Sequence, residues 1–251
     1  MTKRIALTLL AGAILAGTTL TVVADELDAV EKRIQTSWDK NKSVTAKLQT
    51  ITHMEMGSAI IEGQGTGSIE YMRKGEKLFS RMELKNSMSQ KAGEQEMKME
   101  QEILVIIDGD YSYTLTDMMG RKMAAKANID PKMTGDPKAI FTEMRKTHDL
   151  TLLPEETLED HKAFVIQAVP KEGTQSAGSK MHLYYQQDSG MMVKMVMYDA
   201  NGKPMQTMNY TDVKLDLDIS PERFIFKAPE GVTVMDQTAK TDEPPTSAPT
   251  P

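Results

Sequence analysis

Across residues 180–235 the chain is a succession of strand-length runs parted by tight-turn residues: KMHLYYQQ, MMVKMVMY, MQTMNYTDVKLDLD and FIFKAPEGVTVM, with Asp188-Ser189-Gly190 and Asp199-Ala200-Asn201-Gly202 in the first two gaps. Runs this short do not make stable isolated helices, and Gly190 and Gly202 supply the positive-φ positions that tight hairpins need. The pattern predicts an antiparallel sheet written in chain order. Its apolar side is crowded with methionine, a flexible side chain that suits a surface accepting apolar ligands better than one doing chemistry.

The same grammar runs upstream. Val44, Ala46 and Leu48 alternate with Lys47 and Gln49 as a half-buried strand, and Gly63, Gly65 and Gly67 are expected to bend or bulge the next one. Ile69, Tyr71 and Arg73 share one side of a strand that turns at Lys74-Gly75-Glu76 and returns through Leu78, Phe79, Met82 and Leu84. Residues 86–96 are polar and read as a loop. A strand over 97–107 ends at Asp108-Gly109-Asp110, a strong hairpin signal, and pairs back over 111–116 before a further turn at Met118-Met119-Gly120. Strands resume over 150–153 and 163–169.

Two helices interrupt this sheet. In DELDAVEKRIQTSWDKNK the apolar Leu27, Val30, Ile34 and Trp38 recur at threes and fours, an amphipathic helix with Asp25, Glu26 and Asp28 at its start and Lys40 and Lys42 at its end, as the helix dipole favours. Asp136-Pro137 is an acidic cap followed by proline at the first helical position, and Ile140, Phe141 and Met144 give the short helix after it one apolar stripe.

The ends differ from the middle. Lys3 and Arg4, an apolar stretch over 5–20 and Val22-Val23-Ala24 before Asp25 read as a cleavable secretory leader, residues 1–24. Residues 237–251, with four prolines among polar residues, read as a disordered tail. A single β domain over 25–236 lies between them. The chain has no cysteine, so it has no acylation site for a lipoprotein anchor, no disulfide, no thiolate nucleophile and no cysteine-ligated metal. Losing Lys3 and Arg4 takes the formal charge from −6 to −8, which argues against a nucleic-acid partner.

Chemistry is hard to find. His53, His148, His161 and His182 are scattered, no G-x-S-x-G elbow exists, and the Gly63–Gly67 run is followed by a strand rather than a helix that could receive a phosphate. Pairs such as Asp216 and Asp218, or Glu155 and Glu156, lack the spacing of a calcium loop. No enzyme, metal site or cofactor is expected. Methionine is the compositional outlier, 21 in all, with pairs at Met54 and Met56, Met97 and Met99, and Met195 and Met197. In a strand each pair shares a face, so core packing or ligand lining competes with a Met-rich Cu(I) carrier.

The segments EGQGTGSIEYMRKGEKLF (residues 62–79), ILVIIDGDYSYTL (103–115) and PERFIFKAPEGVTVMD (221–236) resemble the LolA family of periplasmic lipoprotein carriers. The resemblance implies a mainly β, α+β fold: a curved, incomplete antiparallel β-barrel capped by short helices around an apolar cavity. It implies a periplasmic carrier of lipoprotein acyl chains or other lipid, travelling from an inner-membrane release complex toward an outer-membrane acceptor, as a monomer. In such carriers an arginine after the early glycine-rich strand bonds the helical lid, and Arg73 stands at that place. The proline that follows it in the family is Lys74 here, a mark of a divergent member. On this scheme Leu48, Ile69, Tyr71, Phe79, Met82, Met195 and Met197 line the cavity, and Ile34, Trp38, Ile140, Phe141 and Met144 plug it. An envelope sensor of mislocalised lipoproteins with the same fold is the other reading the resemblance leaves open.

Overall fold

Helix α1 (Thr19–Lys40) leads into six strands, β1 (Ser43–Met56), β2 (Ala59–Lys74), β3 (Lys77–Ala92), β4 (Gln95–Ile107), β5 (Tyr111–Met118) and β6 (Arg121–Asn128). Helix α2 (Pro137–Thr147) then precedes β7 (His148–Leu158), β8 (His161–Pro170), β9 (Lys180–Gln186), β10 (Met192–Tyr198), β11 (Pro204–Leu215) and β12 (Val234–Asp236). The computed structural model describes residues 19–93, 95–174 and 178–238, and its strands form one sheet in the order β12-β6-β5-β4-β3-β2-β1-β11-β10-β9-β8-β7. Neighbours are antiparallel throughout except for β12, which lies parallel to β6. The sheet is curved and does not close into a barrel.

Most of the hairpins fall where the turn residues put them, and Asp136 caps α2 by accepting a hydrogen bond from the Lys138 N–H. Four expectations need correction. Residues 63–67 do not bulge: β2 pairs without a register break on both sides. The glycines are there because the strands approach closely, so that a Cβ on Gly67 would run into the Glu83 carbonyl and one on Gly65 into the Asn86 and Thr50 side chains. Residues 86–96 are not a loop but the paired ends of β3 and β4, with Met88 opposite Met99 and Gln90 opposite Met97. Ladder hydrogen bonds need no apolar side chains, so two solvated strand ends look like a loop in sequence.

Strand β6 gave no strand signal, because RKMAAKAN is made of helix-favouring residues that tertiary pairing overrides. The final run is not a fourth strand. Strand β11 already has β1 and β10 on its two sides, so the chain after it must leave the sheet. It crosses the outer face through a 3-10 turn at Pro221–Phe224, burying Phe224 against Phe79 at 5.9 Å and stacking Phe226 on Tyr113 at 5.1 Å, before β12 joins the far edge.

Helix α1 starts earlier than its acidic residues suggested, so Asp25, Glu26 and Asp28 stand beyond its first turn; no glycine or proline between Thr19 and Asp25 breaks it. Of the leader and the tail, residues 1–18 and 239–251 lie outside the described residues. No described helix is long and apolar enough to cross a membrane.

Both helices lie on one face of the sheet, the inner face. Leu27, Val30 and Ile34 of α1 and Ile140, Phe141 and Met144 of α2 pack there against Phe164, Ile166, Leu183 and Tyr185. Trp38 carries α1 across to a second cluster with Val44, Ala46, Ile69 and Tyr71. A smaller cluster of Ala163, Val165, Tyr184 and Val196 sits on the outer face.

Candidate functional site

Alternation along the strands decides what lies beneath the helices. The side chains of Leu48, Ile69, Tyr71, Met82, Met195 and Met197 all fall on the inner face by register. Ile69, Tyr71 and Met82 belong to the cluster around Trp38, and Met195 packs against the cluster around Ile34. Phe79 does not join them. It pairs with Met72, one residue out of step with Tyr71 opposite Ser80, and so faces outward onto Phe224.

The helix residues expected to plug the cavity face the sheet. Ile34, Trp38, Ile140, Phe141 and Met144 are all buried against the sheet. The space the resemblance reserves for hydrocarbon is therefore occupied by the protein's own side chains. Beside Trp38, Tyr71, Arg73 and Leu78 a void of about 10 Å³ remains, barely the room one water needs. An open apolar hollow there would lose dispersion contacts on all its walls, so helices that can reach the face settle onto it.

The helices are fastened at their rims. Arg73 Nη1 donates to the Asp39 carbonyl and pairs with its carboxylate, both at 3.2 Å, with the guanidinium 5.9 Å from the Trp38 ring. Ser37 donates to the Gln187 carbonyl at 2.9 Å and the Asn41 amide to the Ser189 carbonyl at 2.8 Å, which tie the same end of α1 to the β9–β10 turn. Within that turn Gly190 has φ +67°, and a Cβ there would strike the Ile34 carbonyl and the Trp38 nitrogen. At the other end Arg145 of α2 reaches Asp28 at 2.9 Å and Glu31 at 2.7 Å, and Gln35 accepts from the Lys138 N–H at 2.8 Å. The roles of Arg145 and Gly190 were not legible in sequence. Gly190 signalled a turn but not its contact with a helix about 150 residues away, and no local pattern marks Arg145.

Burial pushes the Glu31 carboxyl up from its ordinary 4.5, with the Arg145 hydrogen bond and charge opposing and Asp28 reinforcing. For Arg145, burial pulls downward and the two carboxylates more than offset it, leaving the guanidinium raised. The partners thus give opposite signs for one contact. The guanidinium stays charged at any ordinary pH, so the glutamate carries the pH response. A carboxyl raised on folding holds a proton that the unfolded chain has released; its contribution is full below pH 4.5 and is lost as pH rises through the folded value. Glu31→Gln is expected to flatten the pH dependence of the urea midpoint just above pH 4.5. A profile parallel to that of the wild type would remove this assignment.

Some polar groups under the helices lack partners. Among the described residues Trp38 Nε1 and the Tyr185 hydroxyl are buried with no hydrogen bond. Burial pushes the Tyr210 phenol up to about 12, and burial first, then the neighbouring Tyr210 and Tyr185, raises Tyr71 well above its ordinary value.

Past the helices the inner face continues as a methionine strip on the far ends of the long strands. Met54, Met56, Ile61, Met88, Met97, Met99, Met118 and Met123 share that side by register, and Met56 and Met97 are 64% and 54% exposed. His53 is on the opposite side, engaged with Glu55 at 3.2 Å and Glu62 at 3.5 Å, so it does not join the neighbouring thioethers. Among the described residues no group of three or more His, Asp or Glu is placed to hold a metal ion. A cleft of about 710 Å³ opens elsewhere, with Gln49, Lys194, Asn209 and Thr211 on the outer face and Glu159, His161 and Lys162 at its rim.

A family model described only as an uncharacterized protein matches residues 140–228. An uncharacterized protein of Methanocaldococcus jannaschii is 25% identical over 239 residues, covering 94% of this chain and 61% of that protein, so the chain spans less than two thirds of the curated relative it matches. The crystal structure of an uncharacterized conserved protein from Thermus thermophilus shares the fold, with a TM-score of 0.53 at 12% identity over 84% of this chain and 99% of the other. A LolA superfamily protein from Nitrosomonas europaea aligns at a TM-score of 0.30 and 13% identity, over 79% of this chain and 97% of the other. The open curved sheet with helices across its inner face is the fold of that Thermus thermophilus protein.

Proposed function

We propose that the protein binds the acyl chains of lipoproteins or other lipids between its inner face and the two helices, and carries them across the periplasm from the inner toward the outer membrane. The observation that carries this reading is the apolar surface of the inner face, buried beneath α1 and α2 and exposed beyond them as a methionine strip. Between the two lies a short uncharged band of Thr50, Thr52, Asn86 and Gln101, which a hydrocarbon chain would cross on its way from solvent to the space the helices fill. Methionine walls repack around guests of different shape with little loss.

The energetics suit a reversible carrier. Ion pairs as exposed as Arg73–Asp39 and Arg145–Asp28 hold about 0–1 kcal/mol each, so the helices stay down mainly by apolar burial. An acyl chain offers the same driving force. At about 0.8 kcal/mol per methylene, a chain of about fifteen methylenes supplies on the order of 10 kcal/mol, against which the lost helix contacts are set. The bound state then exceeds the closed state by a modest margin, which an acceptor can reverse. An inner-membrane release complex would load the protein and an outer-membrane acceptor unload it.

Native mass spectrometry of the protein taken from its own cell envelope tests the reading. Bound diacylated species are the expected result. Protein that is bare, or that carries stoichiometric copper lost on Met54→Leu with Met56→Leu, would overturn it in favour of the thioether alternative.

A further inference from the structure

The side of α1 that faces the sheet, and the sheet beneath it, hold more hydrogen-bonding capacity than the closed protein uses. Trp38, the chain's sole tryptophan, is 2% exposed, and its Nε1–H meets no acceptor. Tyr185 on β9 is fully buried under Phe141, ring centroids 5.1 Å apart, and its hydroxyl is likewise unpartnered among the described residues. Tyr71 on β2 stands edge-on to Trp38 at 5.6 Å, and with Tyr210 on β11 it brings two more phenols onto the same inner face. A core built only to be a core would carry phenylalanine at Tyr185, since an unmade hydrogen bond in an apolar interior is destabilising and the hydroxyl adds no packing there.

We propose, resting on the carrier reading, that Tyr185 Oη–H and Trp38 Nε1–H are donors for the ester carbonyls of an acylated ligand, so that the site takes ester-linked lipid in preference to ether-linked lipid or plain hydrocarbon. An acyl ester is mostly hydrocarbon and carries, at its head, a carbonyl oxygen that accepts but cannot donate. Both unpartnered groups can donate, and the indole N–H can do nothing else. When the helices lift, the chain replaces Ile34, Phe141 and Met144 over Tyr185, and the ester oxygen arrives between Tyr185 on the sheet and Trp38, which moves with α1 but stays on its sheet-facing side. The closed state leaves them unsatisfied and the loaded state satisfies them, so they favour loading without adding any apolar surface. An ether oxygen in the same place is a much weaker acceptor, and an alkane offers none.

The test uses the full-length protein and two soluble probes, dioctanoyl glycerophosphocholine and its dioctyl diether, followed through the fluorescence of Trp38. Wild type is expected to bind the diester about tenfold more tightly than the diether, the worth of one or two hydrogen bonds. Tyr185→Phe should bring the two affinities to within about threefold while leaving diether binding unchanged, and should unfold at the same or a higher urea concentration than wild type. Equal binding of diester and diether by wild type, or an undiminished preference in Tyr185→Phe, would overturn the ester assignment and leave the carrier reading standing. Failure to bind either probe would overturn the carrier reading and the assignment with it.

Discussion

Gly190→Ala is expected to lower stability by about 2–5 kcal/mol, the sum of a left-handed backbone forced on a residue with a Cβ and an overpacked contact. The glycine has φ +67°, and the added methyl would meet the Ile34 carbonyl and the Trp38 nitrogen of α1, backbone atoms that cannot swing aside as a side-chain tip does. The helix must move instead. It is held at that end by Ser37, Asn41 and Arg73, so Trp38 would be prised from its seat on Tyr71 and its emission would shift to the red. Gly202→Ala is the matched control, since Gly202 has φ +79° and nothing within 4 Å of a Cβ. It should show the backbone part alone, about 1–2 kcal/mol. Urea melts of the two variants side by side decide the matter. If they agreed to within about 0.5 kcal/mol, the close contact of α1 with the β9–β10 turn would not exist in solution.

Phe141→Ala is expected to do two opposite things at once. The side chain is buried against Tyr185, and removing it should destabilise the closed protein by about 3–5 kcal/mol. If α2 is a plug, the loaded protein has already displaced that side chain and loses little by its removal. The same free energy then appears as tighter binding of acyl chains, by about 100-fold or more, since each tenfold corresponds to about 1.4 kcal/mol. A lower urea midpoint and a lower dissociation constant in the same variant is the signature of displacement. A fixed structural wall gives the other result. If the variant were less stable and bound acyl chains no better than wild type, α2 would be part of the permanent core and the route beneath it closed.

These results bear on a site whose parts were unequally visible beforehand. The stripes Leu27, Val30, Ile34, Trp38 and Ile140, Phe141, Met144 could be read because a helix repeats every 3.6 residues and its buried face is encoded in its own sequence. The inner side of β1 and β2 could be read for the same reason at period two, through Val44, Ala46, Leu48 and Ile69, Tyr71. Phe79 shows where that stops. It is as apolar as its neighbours, and only the register with Met72 puts it on the outer face. The methionine strip was legible as pairs at Met54 and Met56 and at Met97 and Met99, but not as one surface, since Met88 meets Met99 only when polar strand ends pair.

The sequence alone determined the two helices, most of the strands and the faces most of them bury, because periodicity, turn glycines and caps act within a few residues of one another; β6, the strand ends over 86–96 and the outward face of Phe79 were left to pairing. Tertiary structure alone decided that β11 would enter beside β1, that the last segment would cross to the far edge, that Arg145 would meet Asp28 and Glu31, and that Gly190 would bear on α1. Those are contacts between residues far apart in the chain. They depend on how an open sheet curls and which groups it then brings within reach, a property of the assembled backbone that no local pattern carries.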